Sequence, residues 1–162
     1  MVMLHAYMFM QSGIPVLYSG DEVGQLNDNS YHGDKNKCAD SRYLHRGKMD
    51  WAAAARAEKP GTSEYRIFTA LARLETLRAK ENAFSCDAAA ATLDTGDKAV
   101  LGITRSVNGE LLAGLVNFRD EPKTATAIHS EGVYQNLVTG ETMNITEITV
   151  PAQGFYWLKR VQ

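Results

Sequence analysis

Two adjacent carboxylates, Asp21 and Glu22, follow a short apolar run in the stretch GIPVLYSGDE, residues 13–22. Paired carboxyl groups of this kind can act as a general acid and a general base. Neighbouring residues on an extended segment point to opposite sides, however, so these two would not converge on one bond. The favoured interpretation is that Asp21 and Glu22 accept hydrogen bonds from nearby backbone amides, pair with a loop arginine and thereby order a structural loop.

A local cluster of basic residues lies further along, in the stretch ADSRYLHRGK. Arg42, His45, Arg46 and Lys48 supply cations within seven residues. Such a cluster either forms a solvated loop or contacts an anion or a sugar. The guanidinium of Arg42 offers a planar fork of donors to a carboxylate or to sugar hydroxyls, with ordering of the loop as the alternative.

A calcium site is a third possible chemistry, since Asp28, Asp34 and Asp40 place oxygen ligands in one polar loop. Their spacing does not match an EF-hand loop, which alternates its ligands and ends on a Glu. The two cysteines, Cys38 and Cys86, are far apart and have neither zinc-type nor disulfide-framework spacing. We therefore expect no metal and no cofactor, and a cytoplasmic protein.

Composition restricts the possible partners. The chain has 162 residues, 44% hydrophobic and 22% charged, with a net charge of -2, which is typical of a folded globular protein. This charge argues against affinity gained by neutralising nucleic-acid phosphates. The apolar N-terminus, MVMLHAYMFMQSG, has no basic leader and is shorter than a membrane span of about 20 residues. Neither nucleic acid nor a membrane is an expected partner.

The apolar pattern in the first half of the chain predicts the helices and the strand that would position these residues. A helix is predicted over residues 2–11, ending before Gly13. The run over residues 16–18 predicts a strand covered on both faces, as in parallel sheets, with Pro15 at its start. A long polar connection then extends from Asp21 to about Gly61. A second helix begins near Thr62 or Ser63, and its apolar stripe consists of Ile67, Phe68, Leu71, Leu74 and Leu77.

After Ala83 the pattern changes to short β-type runs separated by turn residues. Asn108-Gly109 is the strongest hairpin sequence, because a type I′ turn requires a positive φ at both positions, and Thr139-Gly140 is a weaker one. Six to eight strands at this spacing predict an antiparallel sandwich or sheet domain. The closing stretch GFYWLKRVQ is expected to place its aromatic residues in the core.

GIPVLYSGDEVGQLND followed by DSRYLHRGKMDW resembles the alpha-amylase family, glycoside hydrolase family 13, and within it the amylosucrase-like, sucrose-acting branch. In that family the first motif covers the eighth strand of a (β/α)8 barrel and its exit loop. LLAGLVNFRDEPKTATA is similar to the β-sandwich that follows the barrel. The resemblance implies an α+β fragment: the last βα unit of a TIM barrel in residues 1–83, followed by an antiparallel β-sandwich C-terminal domain in residues 84–162.

The resemblance also implies an activity and its limits. Family members are retaining enzymes with an Asp nucleophile, a Glu acid/base and a further Asp, at the ends of the fourth, fifth and seventh strands. None of the three has a counterpart in this sequence, so no catalytic residue is assigned. We expect the C-terminal part of an enzyme that transfers glucosyl units from sucrose or hydrolyses sucrose or alpha-glucan, inactive alone. Hydrolysis, transfer and phosphorolysis all remain open.

For the site residues, the resemblance favours Arg42 and Asp40 as substrate-binding and Asp21 and Glu22 as structural loop residues. Sucrose or an alpha-glucan would then be the partner in the intact enzyme. One alternative is a non-catalytic module that binds glycans or partners, with four aromatic candidates: Trp51, Tyr134, Tyr156 and Trp157. Another is a structural piece that completes an enzyme in trans. Residues 1–20 and helix 63–80 would in that case bind the missing barrel portion or self-associate.

Overall fold

The computed structural model of the protein describes residues 1–126 and 131–161. Three α-helices occur in this part of the chain: α1 (Val2–Met10), α2 (Trp51–Arg56) and α3 (Ser63–Lys80). The chain divides into two compact units, one formed by Met1–Pro15 with Ala72–Gln162 and the other by Val16–Leu71. We call them the sheet unit and the loop unit and describe each by itself. The predicted domain boundary at residues 83/84 stays a prediction.

The sheet unit is built from antiparallel strands. A six-stranded sheet has the order β1-β2-β3-β8-β5-β6, and a two-stranded sheet pairs β4 with β7. The strands described are β1 (Ala89–Leu93), β2 (Val100–Val107), β3 (Glu110–Asn117), β4 (Lys123–Ala125), β5 (Gly132–Asn136), β6 (Thr142–Ile145), β7 (Ile148–Val150) and β8 (Phe155–Arg160). Every pairing among them is antiparallel, which confirms the predicted antiparallel sheet.

The predicted hairpin at Asn108-Gly109 forms between β2 and β3. Val107 lies opposite Glu110 in the register, and the two turn residues have φ values of 50° and 83°, as a type I′ turn requires. The weaker hairpin sequence also marks a turn, between β5 and β6, where Gly140 has a φ of 84°.

One apolar cluster joins the two sheets. Ala125 of β4 and Val150 of β7 are buried together with residues of the larger sheet, including Leu115 and Leu158. Trp157 of β8 is also fully buried, against the Phe84 ring at 4.9 Å between centroids. The expectation that the closing aromatic residues form core is confirmed at Trp157, whereas Phe155 and Tyr156 are partly buried.

Helix α1 packs on the sheet through a glycine. A Cβ atom at Gly114 of β3 would lie 2.6 Å from Cε of Met10, so the missing side chain is what lets the end of α1 approach the strand. Ala6, Phe9 and Met10 are the buried residues of this helix, which forms where the sequence predicted it.

Helix α3 begins at Ser63, as predicted, because the Thr62 hydroxyl accepts a hydrogen bond from the Tyr65 amide at 3.1 Å. Leu71 and Leu74 on its predicted stripe are almost fully buried. Phe68, which the stripe also included, is 45% exposed. No helix in the described ranges is long and apolar enough to cross a membrane.

Two predictions for the first half of the chain are wrong. Residues 14–18 lie in neither a helix nor a strand, because a strand exists only where a neighbouring backbone pairs with it, and the described sheets contain no such neighbour. The connection from Asp21 to Gly61 contains regular structure: three 3-10 helices, Asp21–Val23, Asn29–Gly33 and Ser41–His45, and then α2. Asp50 begins α2 by accepting the amides of Ala52 and Ala53.

Candidate functional site

Asp40 and Arg42 form one preorganised pair. Asp40 caps the 3-10 helix Ser41–His45, where its Oδ1 accepts the Arg42 backbone amide at 3.0 Å. The same carboxylate accepts from Nε of Arg42 at 2.8 and 3.0 Å and from Nη2 at 2.8 Å. These hydrogen bonds from Arg42 lower the pKa of Asp40 to about 2. The Arg42 side chain is nevertheless 71% exposed, so its orientation is fixed while its outer edge remains accessible.

Arg42 lines a cavity of about 440 Å³ in the loop unit together with Tyr18, Asp21, His45 and Arg46. The structure thus brings together residues that the sequence had proposed for two different roles, Asp21 for the loop and Arg42 for substrate. Asp40 does not line the cavity; its contact is with Arg42. His45 is held by a 3.0 Å hydrogen bond between its Nδ1 and Oδ1 of Asn27.

Asp21 and Glu22 contact the backbone of their own turn. Glu22 Oε2 accepts the Gly20 amide at 2.8 Å, and Asp21 Oδ2 accepts the Tyr18 amide at 3.4 Å. Gly20 has a φ of 99°, a left-handed conformation that suits glycine, and this lets the chain reverse before Asp21. These contacts are of the kind a structural loop role requires, and that role stays a prediction.

A second cavity, of about 550 Å³, lies elsewhere in the loop unit, and the sequence had not indicated it. Gln25 closes one side by donating from Nε2 to the Lys48 carbonyl and accepting the Asp50 amide at Oε1, both at 3.1 Å. The Arg56–Glu64 ion pair at 2.7 Å lines it too. Asp28 and Lys48, which also line it, had been weighed in the sequence for other roles, and Asp50 is an N-cap residue directly before the helix-forming run WAAAAR.

The three aspartates weighed as calcium ligands serve separate turns. Asp28, Asp34 and Asp40 each accept the backbone amide two residues on, at 2.8, 2.9 and 3.0 Å. A hydrogen bond from the Ser30 side chain, and then the one from its amide, lower the pKa of Asp28, while the Asn36 amide lowers the pKa of Asp34. Within residues 1–126 and 131–161, no group of three or more acidic, histidine or cysteine side chains is placed to hold a metal ion.

The aromatic candidates for glycan binding differ in exposure. Tyr134 and Trp157 are completely buried and cannot present a ring to a sugar. Tyr156 is partly buried and packs against the apolar cluster of the sheets. Trp51, the first residue of α2, is 76% exposed. Only Trp51 of the four therefore offers an open aromatic face.

Solved structures of sugar-acting enzymes match the chain over almost its whole length. The trehalulose synthase MutB from Pseudomonas mesoacidophila MX-45 matches 97% of this chain with a TM-score of 0.77 and 17% sequence identity, over 38% of its own length. The MutB E254Q mutant in complex with the substrate sucrose matches 98% with a TM-score of 0.76 and 17% identity, over 37% of its length.

A third match is the ligand-free cyclic alpha-maltosyl-(1-->6)-maltose hydrolase from Arthrobacter globiformis. It matches 99% of this chain with a TM-score of 0.67 and 23% identity, over 30% of its own length. No protein-family model matches the sequence. The chain spans about a third of the length of these enzymes, and at these identities the likeness concerns the fold alone. The small α+β fold with a mostly antiparallel sheet is the fold of the C-terminal part of these sugar-acting enzymes.

Proposed function

We propose that this chain is the C-terminal part of a retaining alpha-glucoside-acting enzyme of the alpha-amylase family, in its amylosucrase-like, sucrose-acting branch. The observation that supports this most is the structural match. It covers 97–99% of this chain and about a third of the length of each enzyme, and one of these enzymes is a synthase mutant in complex with sucrose. The residues GIPVLYSGDE and DSRYLHR give independent support, because they resemble the family at the loop where the cavity of Arg42 lies. Residues 1–83 would be the end of a (β/α)8 barrel, and residues 84–162 the β-sandwich after it.

In the intact enzyme, Arg42 would bind a sugar hydroxyl at one end of the substrate pocket. Nε and Nη2 of Arg42 are used by Asp40, whereas Nη1 makes no hydrogen bond to a described residue. The two N–H groups of Nη1 are therefore available to an acceptor, and the pair with Asp40 fixes the guanidinium plane before substrate arrives. Fixing the donor in advance reduces the entropy lost on binding.

The chemistry itself would come from the part of the enzyme outside this chain. Retention requires two carboxyl groups on opposite sides of the glycosidic bond. Asp21 and Glu22 have no such role in the proposal, because each accepts a backbone amide of its own turn. The 162 residues alone are therefore expected to be inactive. A cytoplasmic location belongs to the same proposal and is favoured by two exposed free thiols, Cys38 and Cys86.

The test compares this chain with a longer polypeptide from the same gene region. The 162 residues, and the same residues extended through the upstream coding sequence, are purified and incubated with sucrose and with maltooligosaccharides. We expect glucose release or glucosyl transfer only from the longer polypeptide. Turnover by the 162 residues alone would contradict their inactivity, and an upstream sequence without the three carboxylates would contradict the enzyme assignment.

The role of Arg42 is tested in the longer polypeptide. Replacing Arg42 with Met removes the hydrogen-bond donor to the sugar hydroxyl. We expect KM for sucrose to rise by about tenfold, the equivalent of one hydrogen bond to a charged group. Arg66→Met is the matched control, since Arg66 is an exposed residue of α3 outside both cavities. An unchanged KM in Arg42→Met would show that this arginine only orders its loop.

Binding of glycans without catalysis is a second candidate function, favoured by the exposure of Trp51. Trp51 and the buried Trp157 are the only tryptophans of the sequence, so a fluorescence change on titration with maltoheptaose would report mainly on Trp51. A saturable change in the isolated chain that is lost in Trp51→Ala would support this function. No change at millimolar maltoheptaose or sucrose would contradict it.

A further inference from the structure

Two segments of the loop unit, residues 27–28 and 44–47, lie side by side, and we call their contact the seam. The Asp28 amide donates to the Leu44 carbonyl at 2.8 Å. A Cβ atom at Gly47 would lie 2.9 Å from Cβ of Asp28, so the missing side chain is what lets the two segments approach this closely. The seam therefore brings side chains of both segments together before any ligand binds.

The seam determines which ring nitrogen of His45 carries a proton. Nδ1 of His45 lies 3.0 Å from Oδ1 of Asn27. A carboxamide oxygen can only accept a hydrogen bond, so Nδ1 is the donor and the neutral ring has its lone pair on Nε2. Nε2 makes no hydrogen bond to a residue that the structure describes. His45 therefore has an unused acceptor, whose position the contact with Asn27 fixes.

His45 and Arg42 line the same cavity, the one of about 440 Å³. Its lining residues thus supply both a donor, Nη1 of Arg42, and an acceptor, Nε2 of His45. A sugar hydroxyl can donate one hydrogen bond and accept others. Two hydroxyl groups of one sugar can therefore use both residues, one by accepting from Arg42 and the other by donating to His45.

The charges around this cavity also favour a neutral ligand. Asp40 compensates the charge of Arg42 through their ion pair at 2.8 Å. Asp21 and Arg46, which line the cavity as well, carry opposite charges. An anion such as phosphate could accept from Arg42, but its oxygens would be repelled by the lone pair of His45. The cavity therefore matches a neutral sugar better than an anion.

We propose that His45 accepts a hydrogen bond from a second hydroxyl group of the sugar that Arg42 binds, and that Asn27 positions His45 by holding the proton on Nδ1. This inference rests on the proposed function and deepens it, because it names what the cavity recognises: two hydroxyl groups of one sugar, with opposite hydrogen-bonding roles. Asn27 does not line this cavity and acts only through His45, so it is a positioning residue.

The position of the proton is measured first, in the isolated chain. Long-range proton–nitrogen NMR correlation at about pH 8.5, where an ordinary imidazole is neutral, distinguishes a protonated ring nitrogen from one with a lone pair. We expect a protonated Nδ1 in His45 of the wild type, and His45→Gln identifies its signals. Asn27→Ala should shift the population towards a protonated Nε2. Asn27→Asp should keep the wild-type form, because a carboxylate accepts the same hydrogen bond.

Kinetics of the longer polypeptide then test whether the sugar uses this acceptor. His45→Ala should raise KM for sucrose about tenfold and change kcat less than about twofold, because the bound sugar loses one hydrogen bond. Asn27→Ala should raise KM about threefold, and Asn27→Asp should restore most of the wild-type value. His32→Ala is the matched control, since His32 is an exposed histidine of the same unit outside the cavity. Circular dichroism first confirms that all variants are folded.

Each other outcome overturns the proposal in a distinguishable way. A proton on Nε2 in the wild type, or one on Nδ1 that Asn27→Ala leaves in place, would reject the positioning by Asn27. Saturable shifts of the His45 signals on titration with inorganic phosphate would identify an anion site instead. An unchanged KM in His45→Ala, beside a raised KM in Arg42→Met, would reject the contact of His45 with sugar while the proposed function stands. No sucrose turnover by the longer polypeptide would reject the proposed function and this contact together.

Discussion

The side chain of Arg105 is buried in the sheet unit and donates hydrogen bonds to several backbone carbonyls. It is 2% exposed and donates to three carbonyls, those of Ala83 at 2.6 Å, Ser85 at 3.0 Å and Met10 at 3.3 Å. Burial lowers its pKa, and the described chain provides it no ion-pair partner. Carbonyls at the end of α1 carry the negative end of the helix dipole, so they compensate part of the buried charge.

Replacing Arg105 with Met should lower the free energy of unfolding by about 3 kcal/mol, because three carbonyls lose their donor in the interior. Arg105→Lys should cost less, since one ammonium can still reach part of this set. Urea denaturation followed by circular dichroism measures both. Arg66→Met, on the exposed side of α3, should change the value by less than about 0.5 kcal/mol. Equal stability of Arg105→Met and wild type would contradict the role of these hydrogen bonds.

The ion pair between Asp40 and Arg42 allows a prediction about the titration of the Asp40 carboxyl group. Hydrogen bonds from Arg42 hold the pKa of Asp40 at about 2, below its ordinary value of 3.8. Because the pKa is lowered on folding, the contribution of the pair is fully present above about pH 4 and is lost as pH falls towards 2.

Carbon-detected NMR titration of the Asp40 carboxyl group should therefore give a midpoint near 2 in the wild type. In Arg42→Met the midpoint should return towards 3.8. Arg46→Met should move it much less, since Arg46 acts only through a weaker Coulombic interaction. A midpoint unchanged in Arg42→Met would show that the pair does not form in solution.

At the scale of elements, the β2–β3 hairpin depends on the backbone conformation of its turn. Gly109 has a φ of 83°, and no atom lies within 4 Å of the position where a Cβ would be. Gly109→Ala should therefore lower the free energy of unfolding by about 1 kcal/mol, through backbone strain alone. Gly33→Ala is the control, because its site is equally open and its φ is not in the left-handed region. Thermal denaturation should show no loss for Gly33→Ala, and equal losses in both would contradict this cause.

Local sequence determines some elements of this chain and not others. The hairpin and the start of α3 could be predicted, because turn glycines and capping residues act within a few positions. The conformation of residues 16–18 could not, since their apolar run is that of a strand but pairing depends on distant backbone. Asp50 before WAAAAR would have revealed α2. The approach of Arg42 to Tyr18 and Asp21 in one cavity depends on tertiary structure, as does the burial of Arg105.

At the scale of the whole molecule, the two units have cores of different size. The sheet unit buries a cluster that includes Leu115, Tyr134 and Leu158 and pairs its strands in ladders of up to eight residues. The loop unit has a small cluster of Val23, Ala53 and Ala57, and its regular structure consists of three short 3-10 helices, α2 and the first half of α3. Buried apolar area stabilises a folded unit in rough proportion to its size, so the loop unit is the less stable of the two.

Hydrogen exchange of the isolated chain should separate the units. Amides of β2, β3 and β8 should exchange only by global unfolding, whereas those of residues 21–58 should exchange by openings of much lower free energy. Low urea should accelerate exchange in the sheet unit strongly and in the loop unit weakly, because global unfolding exposes more surface than local opening. Val23→Ala should speed exchange in the loop unit and leave β3 unchanged. One common exchange rate with one urea dependence for both units would show that they unfold together, since a single cooperative transition gives every protected amide the same opening free energy.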